Sequence, residues 1–435
     1  MKKTAWALLA AAMAMTAGCG QGGSAGGANA NKETAAQPGQ KVKIEFWYSQ
    51  QTVIGDQLQK LVDGFNRSQS DIEVSGVNLA DAGALSTKLQ AALVAGNQPP
   101  LAMQATTQTG EYALAGALED LHKYVAKSEL EQIHEGLFGN ALIGAQLAGI
   151  PYNRSTMVMY YNKNMLRKAG LSEDGPKTWD ELRSFAAKLT DKSSGVYGFE
   201  MPMDVILFET SLLQQGGTMF SKDGKKVAFD SEAGKNVVQF YQQMAKDGIM
   251  KVPSGTGTAS YTPMHNDFLS EKLAMMVSTS AVTATMLQST KDKFELGTAM
   301  LPAGVQYGAS TNGYNLCVLL KAPEEQKKAA VQFIKYLLQK DNAAQMSVGT
   351  GYIPNTKDAV ASEQIKQLWE KQPQYRVAYE QLQYAKARPV MRGYTEIANK
   401  MQDEFKKALL DPSIAPEQAI KSMAGQVQQI IDMQK

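Results

Sequence analysis

Three histidines, two cysteines and 42 carboxylates are what this 435-residue chain has for metal, nucleophilic or acid–base chemistry. His122, His134 and His265 are scattered. None falls in an H-E-x-x-H or other spacing that would set two imidazoles on one helix face, so neither a metal centre nor a cofactor is expected. Gly22 to Gly26 fits G-x-S-x-G and Gly18 to Gly23 fits G-x-G-x-x-G. Neither match follows a strand or opens a helix, the context that gives such loops their function, and no G-x-x-x-x-G-K-[ST] phosphate loop occurs. The 22 methionines cluster only at Met275-Met276 and read as core filler. Two carboxylates of a glycosidase pair can lie far apart in a chain. A secreted glycan hydrolase therefore stands as the competing class to a binding protein, and an inert adhesin or structural lipoprotein as a third.

The cysteines point to the cell surface. Lys2 and Lys3 precede an apolar run from Ala5 to Ala14, too short to span a bilayer permanently. The run ends in Thr16-Ala17-Gly18-Cys19, which resembles the lipobox of bacterial lipoproteins, with Thr16 where leucine is usual. Cys19 would carry the lipid, after removal of 1–18, and several acyl chains at about 0.8 kcal/mol per buried CH₂ would anchor the chain to the membrane. Residues 19–40 hold no aromatic or branched aliphatic side chain and read as a flexible tether. With Cys19 acylated, Cys317, inside LCVLL, has no partner for a disulfide and reads as a small buried hydrophobe. Loss of Lys2 and Lys3 lowers 44 basic residues to 42, equal to the acidic count. A nucleic-acid partner, which demands a basic face, is not expected.

The folded body starts at Lys41. VKIEFWYS alternates and is rich in aromatic and branched residues, so it reads as a strand; Leu58, Leu61, Val62 and Phe65 follow at helical spacing. DIEVSGVNL, then Leu85, Leu89 and Leu93, then LAMQATT repeat the alternation of strand, helix and strand. Thr178 to Glu181 reads as a capping box, and Pro323 with Glu324 and Glu325 as the start of another helix. Such alternation predicts an α/β fold around a mostly parallel sheet. Open sheets of this kind hold ligands beyond the carboxyl ends of their strands. That singles out Trp47, Tyr48 and Ser49 after the first strand, and Gln104, Thr106 and Thr107 after the third.

LAGIPYNRSTMVMYYNKNMLRKAGL followed by PKTWDEL is similar to the hallmark segment of family 1 extracellular solute-binding proteins of ABC importers. FETSLLQQGGTMF, EKLAMMVSTSA, TNGYNLCVLLKAPEEQKKAAVQFIKYLL, TGYIPNTKDAV and RPVMRGYTEI continue the resemblance to nearly the end of the chain, nearest to the glycerol-3-phosphate-binding branch. It implies a two-lobe periplasmic-binding-protein-like fold, hinged at three chain crossings, that closes over a ligand. Lobe I is placed at 41–154 and 302–340, and lobe II at 155–301 and 341–435. Asn153 and Ser155 fall at the first crossing, and Ser155 matches a ligand-contacting serine. Met203 and Asp204 lie where relatives set aromatic and acidic residues against ligand. Thr279 and Ser280 match two binding serines, Gly313 a glycine whose backbone approaches the ligand, and Tyr352 a binding tyrosine. Arg392 lies near the arginine that holds the phosphate, whereas Thr106 or Thr107 stands where the branch keeps a glutamate.

The function expected is that of a lipid-anchored, extracytoplasmic binding protein, monomeric and not an enzyme. It would pass a sugar, oligosaccharide or glycerol-3-phosphate-type ligand to the transmembrane subunits of an ABC importer. Sugars need aromatic faces and planar polar groups, and phosphate esters need strong anion donors. Trp47, Tyr48 and Tyr352 on one hand, and Arg154 and Arg392 on the other, leave both ligand types open.

Overall fold

The computed structural model describes residues 41–50 and 52–434; Cys19, the leader and the tether lie outside them. Twelve strands are present among the described residues. In the first half they are β1 Val42–Tyr48, β2 Ile72–Asn78, β3 Leu101–Ala105, a two-residue pair β4 Leu142–Ile143 and β5 Gln146–Leu147, and the long β6 Ile150–Asn162. There follow β7 Tyr197–Glu200, β8 Met250–Lys251, β9 Leu273–Thr279, β10 Leu296–Ala299, β11 Ala309–Val318 and β12 Ala385–Lys386. Ten of them form one sheet in the order β2-β1-β3-β11-β6-β9-β7-β8, with β10 on β6 and β12 on β11.

The two ends of this sheet are the parallel units that the sequence pattern predicts: β2, β1 and β3 at one, β9, β7 and β8 at the other. The middle departs from the expectation. β11 runs antiparallel to both β3 and β6, and β6 antiparallel to β9, because the strands that join two lobes must run out and back. β6 is 13 residues long and buried throughout; its first half pairs with β11 and its second with β9 and β10. One core fills the space between the second end of the sheet and helices such as Val205–Gln214 and Tyr394–Leu410. Another packs Phe46, Tyr48, Leu58 and Phe333 under the first end and continues past Tyr160 to Phe268.

Each crossing carries a residue with positive φ. Asn153 in β6 has φ 48°, a value that asparagine tolerates better than most residues. Beside it β11 bulges between Gly313 and Tyr314, where Gly313 has φ 113°. The third passage is at Gly351, φ 126°, and Ile353, whose N–H donates to the Arg154 carbonyl at 2.8 Å. A Cβ on Gly351 would lie 2.2 Å from the Ser280 carbonyl oxygen, so only glycine fits. The helix Lys340–Thr350 lies along α1 (Thr52–Ser68), where Gln345 Nε2 donates to Gln57 Oε1.

The local signals hold with small shifts. Thr178 Oγ1 caps Trp179–Leu189 by accepting from Glu181 N–H, although the Glu181 carboxylate reaches back to Lys177 N–H. Pro323 is the residue before its helix, Glu324–Leu338, and not the first within it. LAMQATT divides: Thr106 and Thr107 open a helix directly after β3. Among the described residues no helix is long and apolar enough to cross a membrane.

Candidate functional site

Buried polar side chains are almost always hydrogen-bonded in folded proteins. Here an exceptional number are not, and they gather where the lobes join. At the end of β1, Ser49 Oγ and Gln50 Nε2 have no partner within the protein. At the end of β3, neither Gln104 side-chain atom has one, nor does Thr106 Oγ1. At the first crossing the same is true of both Asn153 side-chain atoms, of Arg154 Nε and Nη1, and of Thr156 Oγ1 opposite Thr311 Oγ1. Ser280 Oγ adds a hydroxyl from the end of β9. This junction brings together six of the expected residues, Ser49, Gln104, Thr106, Asn153, Ser155 and Ser280. Thr107, half-buried, is the second residue of the helix that Thr106 opens.

Other expected residues are tied to protein groups. Thr279 Oγ1 donates to Ser155 Oγ at 3.0 Å across the first crossing and accepts from Ala281 N–H. Asp204 caps the helix Val205–Gln214 through Ile206 N–H and accepts from Tyr261 Oη at 3.0 Å, while Met203 is core. Tyr352 Oη reaches Gln50 Oε1 at 3.4 Å, and burial, with Tyr314 nearby, holds its phenol well above the ordinary range. That bond ties the third crossing to the end of β1, so Tyr352 belongs both to the core and to the junction.

Four expected residues are placed otherwise. Alternation along β1 turns Trp47 onto the Leu85 and Leu89 side of the sheet, where it packs as core. Its indole N–H donates to Glu45, and Lys88 covers its face. Tyr48 points the other way, into the core with Phe46, its hydroxyl on Gln59. Gly313 does allow a close backbone approach, but to the neighbouring strand: a Cβ there would sit 2.0 Å from the Asn153 carbonyl oxygen. Arg392 is on the surface and donates to the Leu114 carbonyl.

The buried arginine of that segment is Arg388, four residues earlier. It grips Glu209 with two bonds, Nε to Oε2 at 2.8 Å and Nη2 to Oε1 at 3.0 Å, and Tyr394 Oη donates to the same carboxylate. Burial works against the Arg388 charge, but Glu209, Asp204 and Tyr261 together leave the guanidinium above its ordinary value. Asn140 fixes the segment from the first lobe: its Nδ2 donates to the Arg388 carbonyl and its Oδ1 accepts from Arg388 N–H. Arg388, Glu209, Gln50 and Asn140 were not singled out in the sequence. Arg388 and Glu209 had a signal, their places in the RPVMRGY and FETSLLQQGGTMF segments.

The family model described as bacterial extracellular solute-binding protein matches residues 60–373. The chain is 25% identical over 403 residues to the sn-glycerol-3-phosphate-binding periplasmic protein UgpB of Pectobacterium atrosepticum, an alignment covering 87% of this chain and 89% of the relative. The structure superposes with TM-score 0.79 on UgpB from Mycobacterium tuberculosis, solved in complex with glycerophosphocholine, at 22% identity over 91% of this chain and all of the other. With the cyclic alpha-maltosyl-1,6-maltose binding protein of Arthrobacter globiformis the TM-score is 0.77, at 22% identity over 90% and 99% of the two chains. At these identities the two structures show a shared fold.

Proposed function

Since the chain belongs to the bacterial extracellular solute-binding proteins, we propose that it captures a small polyhydroxylated solute between its lobes and delivers it to the membrane subunits of an ABC importer. The solute is a sugar, an oligosaccharide or a glycerol-phosphate-type ester, the classes that the names of its relatives carry. The observation that carries this reading is the concentration of unpartnered amides, hydroxyls and guanidinium nitrogens at the lobe junction. Each is a donor or acceptor already stripped of bulk water, so a solute hydroxyl that meets it regains a bond at little further desolvation. The positive-φ residues at the three passages, Asn153, Gly313 and Gly351, supply the points about which the lobes close.

Anchoring through Cys19 is part of this proposal and rests on Thr16 to Cys19 and the polar tether behind them. The solute is bound and released unchanged. Gly18 and Cys19 flank the expected cleavage point, so the mature membrane-bound form begins at an acylated cysteine.

Calorimetry of the purified chain against sn-glycerol-3-phosphate, glycerophosphocholine and maltotriose tests the proposal. One of these is expected to bind with unit stoichiometry and to shrink the radius of gyration in small-angle scattering. Appearance of hydrolysis products from any of them would replace the binding protein with the hydrolase. No heat from any, together with no co-purified solute in mass spectra of the denatured protein, would end it.

A further inference from the structure

The buried cations separate into two kinds. Among the described residues, Arg154, Lys327 and Arg388 are the buried basic side chains. Lys327 pairs with Glu119 at 2.6 Å, and Arg388 with Glu209. Arg154 forms no ion pair, although it is fully enclosed. Its Nη2 donates to the Leu137 carbonyl and to Asn315 Oδ1, both at 2.8 Å, while Nε and Nη1 donate to nothing within the protein. Burial lowers its pKa to about 9, so the group is still charged at neutral pH. A charge withdrawn from water is costly unless an opposite charge meets it.

The surroundings suit an anion. Asn315, which holds Arg154, lies opposite Gln104 in the β3–β11 ladder, so both project from one face of the sheet. Asn315 Nδ2 donates to Thr109 Oγ1 of the helix α3 (Thr106–Leu114), nine residues long. The N-cap of that helix is Ala105, which offers no side-chain bond to the first-turn N–H groups. Thr106 Oγ1 and both side-chain atoms of Gln104 are unpartnered at the same end. An uncapped helix start, a neutral amide and a guanidinium with two free donors are what oxyanion recognition uses.

We propose that Arg154, Gln104 and the first turn of α3 form an oxyanion subsite of the cleft, and that the solute captured there carries a phosphate or carboxylate group. This rests on the solute-binding reading above and narrows its ligand class. Arg388 cannot take the role, since Glu209 already occupies its fork, and Arg392 is at the surface.

The test titrates sn-glycerol-3-phosphate, glucuronate and maltotriose into the full chain and into Arg154→Gln. An oxyanion-bearing solute should bind the wild type, the ester or the carboxylate telling which group is held. Arg154→Gln should weaken it on the order of 30-fold to several thousandfold. Gln104→Ala should weaken the same solute by roughly tenfold. Maltotriose, if it binds, should lose less than roughly threefold in both. Equal affinity of the oxyanion solute for wild type and Arg154→Gln overturns the subsite, as does binding of maltotriose alone; in either case the solute-binding reading stands. Binding of none of the three sinks that reading with it. Should Arg154→Gln fail to fold, the wild type decides: inorganic phosphate must raise its melting temperature above chloride at equal ionic strength, and no difference overturns the subsite.

Discussion

On the second lobe's side of the junction, Glu209 accepts from Arg388 and Tyr394, and Asp204 accepts from Tyr261. On the first lobe's side, Ser49, Gln50, Gln104 and Thr106 hold polar atoms that no protein group meets. Both regions are polar and buried, yet the first is complete without a solute and the second is not. A complete network fixes the geometry against which a solute docks, whereas an incomplete one supplies the hydrogen bonds still to be made. Polarity alone therefore does not mark a binding surface; unspent bonding capacity does.

The comparison breaks most readily at Glu209. Glu209→Ala leaves Arg388 buried and unpaired, and should cost about 3–5 kcal/mol in chemical denaturation. Replacing Glu209 and Arg388 together by leucine should recover much of that loss, because two apolar groups leave no stranded charge. A single-substitution cost below about 1 kcal/mol would show that this side is not the self-contained one.

Gln104→Leu probes the opposite side. The leucine removes two buried polar atoms that have no partner, so stability should hold or rise by about 1 kcal/mol while solute binding weakens by roughly tenfold. A marked loss of stability would mean that Gln104 is bonded within the fold after all.

Glu200, at the end of β7, is an unpartnered carboxylate on the second lobe. Its Oε2 has no partner, and burial pushes its carboxyl up to about 7, with Lys251 pulling it down and Asp267 pushing it up. The folded chain therefore holds a proton there that the unfolded chain releases near 4.5. This contribution to stability is fully present below about 4.5 and falls away as pH rises to about 7. Glu200→Gln, which is always neutral, should gain on the wild type across that interval in melting temperature; parallel curves would contradict it.

Arg392→Gln is the smallest change expected. With its side chain exposed and one bond to the Leu114 carbonyl, it should shift stability and affinity by less than about 0.5 kcal/mol. A loss of affinity as large as that of Arg154→Gln would reverse the roles assigned to the two arginines.

Much of this was legible in the residues. Alternation in VKIEFWYS and helical spacing from Leu58 to Phe65 located β1 and α1, and Asn153 and Ser155 lie in β6 where it runs beside β11. Trp47 shows what alternation withholds: a period of two separates the faces of a strand without telling what packs on each, and here Leu85 and Leu89 enclose the indole. Arg388 and Arg392 stand four residues apart in one segment, and only the fold shows that Glu209, from a distant helix, waits for the first. The antiparallel centre of the sheet was hidden because β11 finds β3 and β6 across long stretches of chain, beyond any local signal.

That insertion governs the order in which the molecule can be made. β3 ends at Ala105 and β11 starts at Ala309, so during synthesis about 200 further residues must emerge before the first lobe has its central pairing. Until then β3 and β6 stand with open edges, and a nascent chain cut short before 309 presents templates for sticking to its copies. Neither lobe is a unit of biogenesis. The chain folds as a whole or not at all, and any split of the gene between its lobes would part β11 from β3.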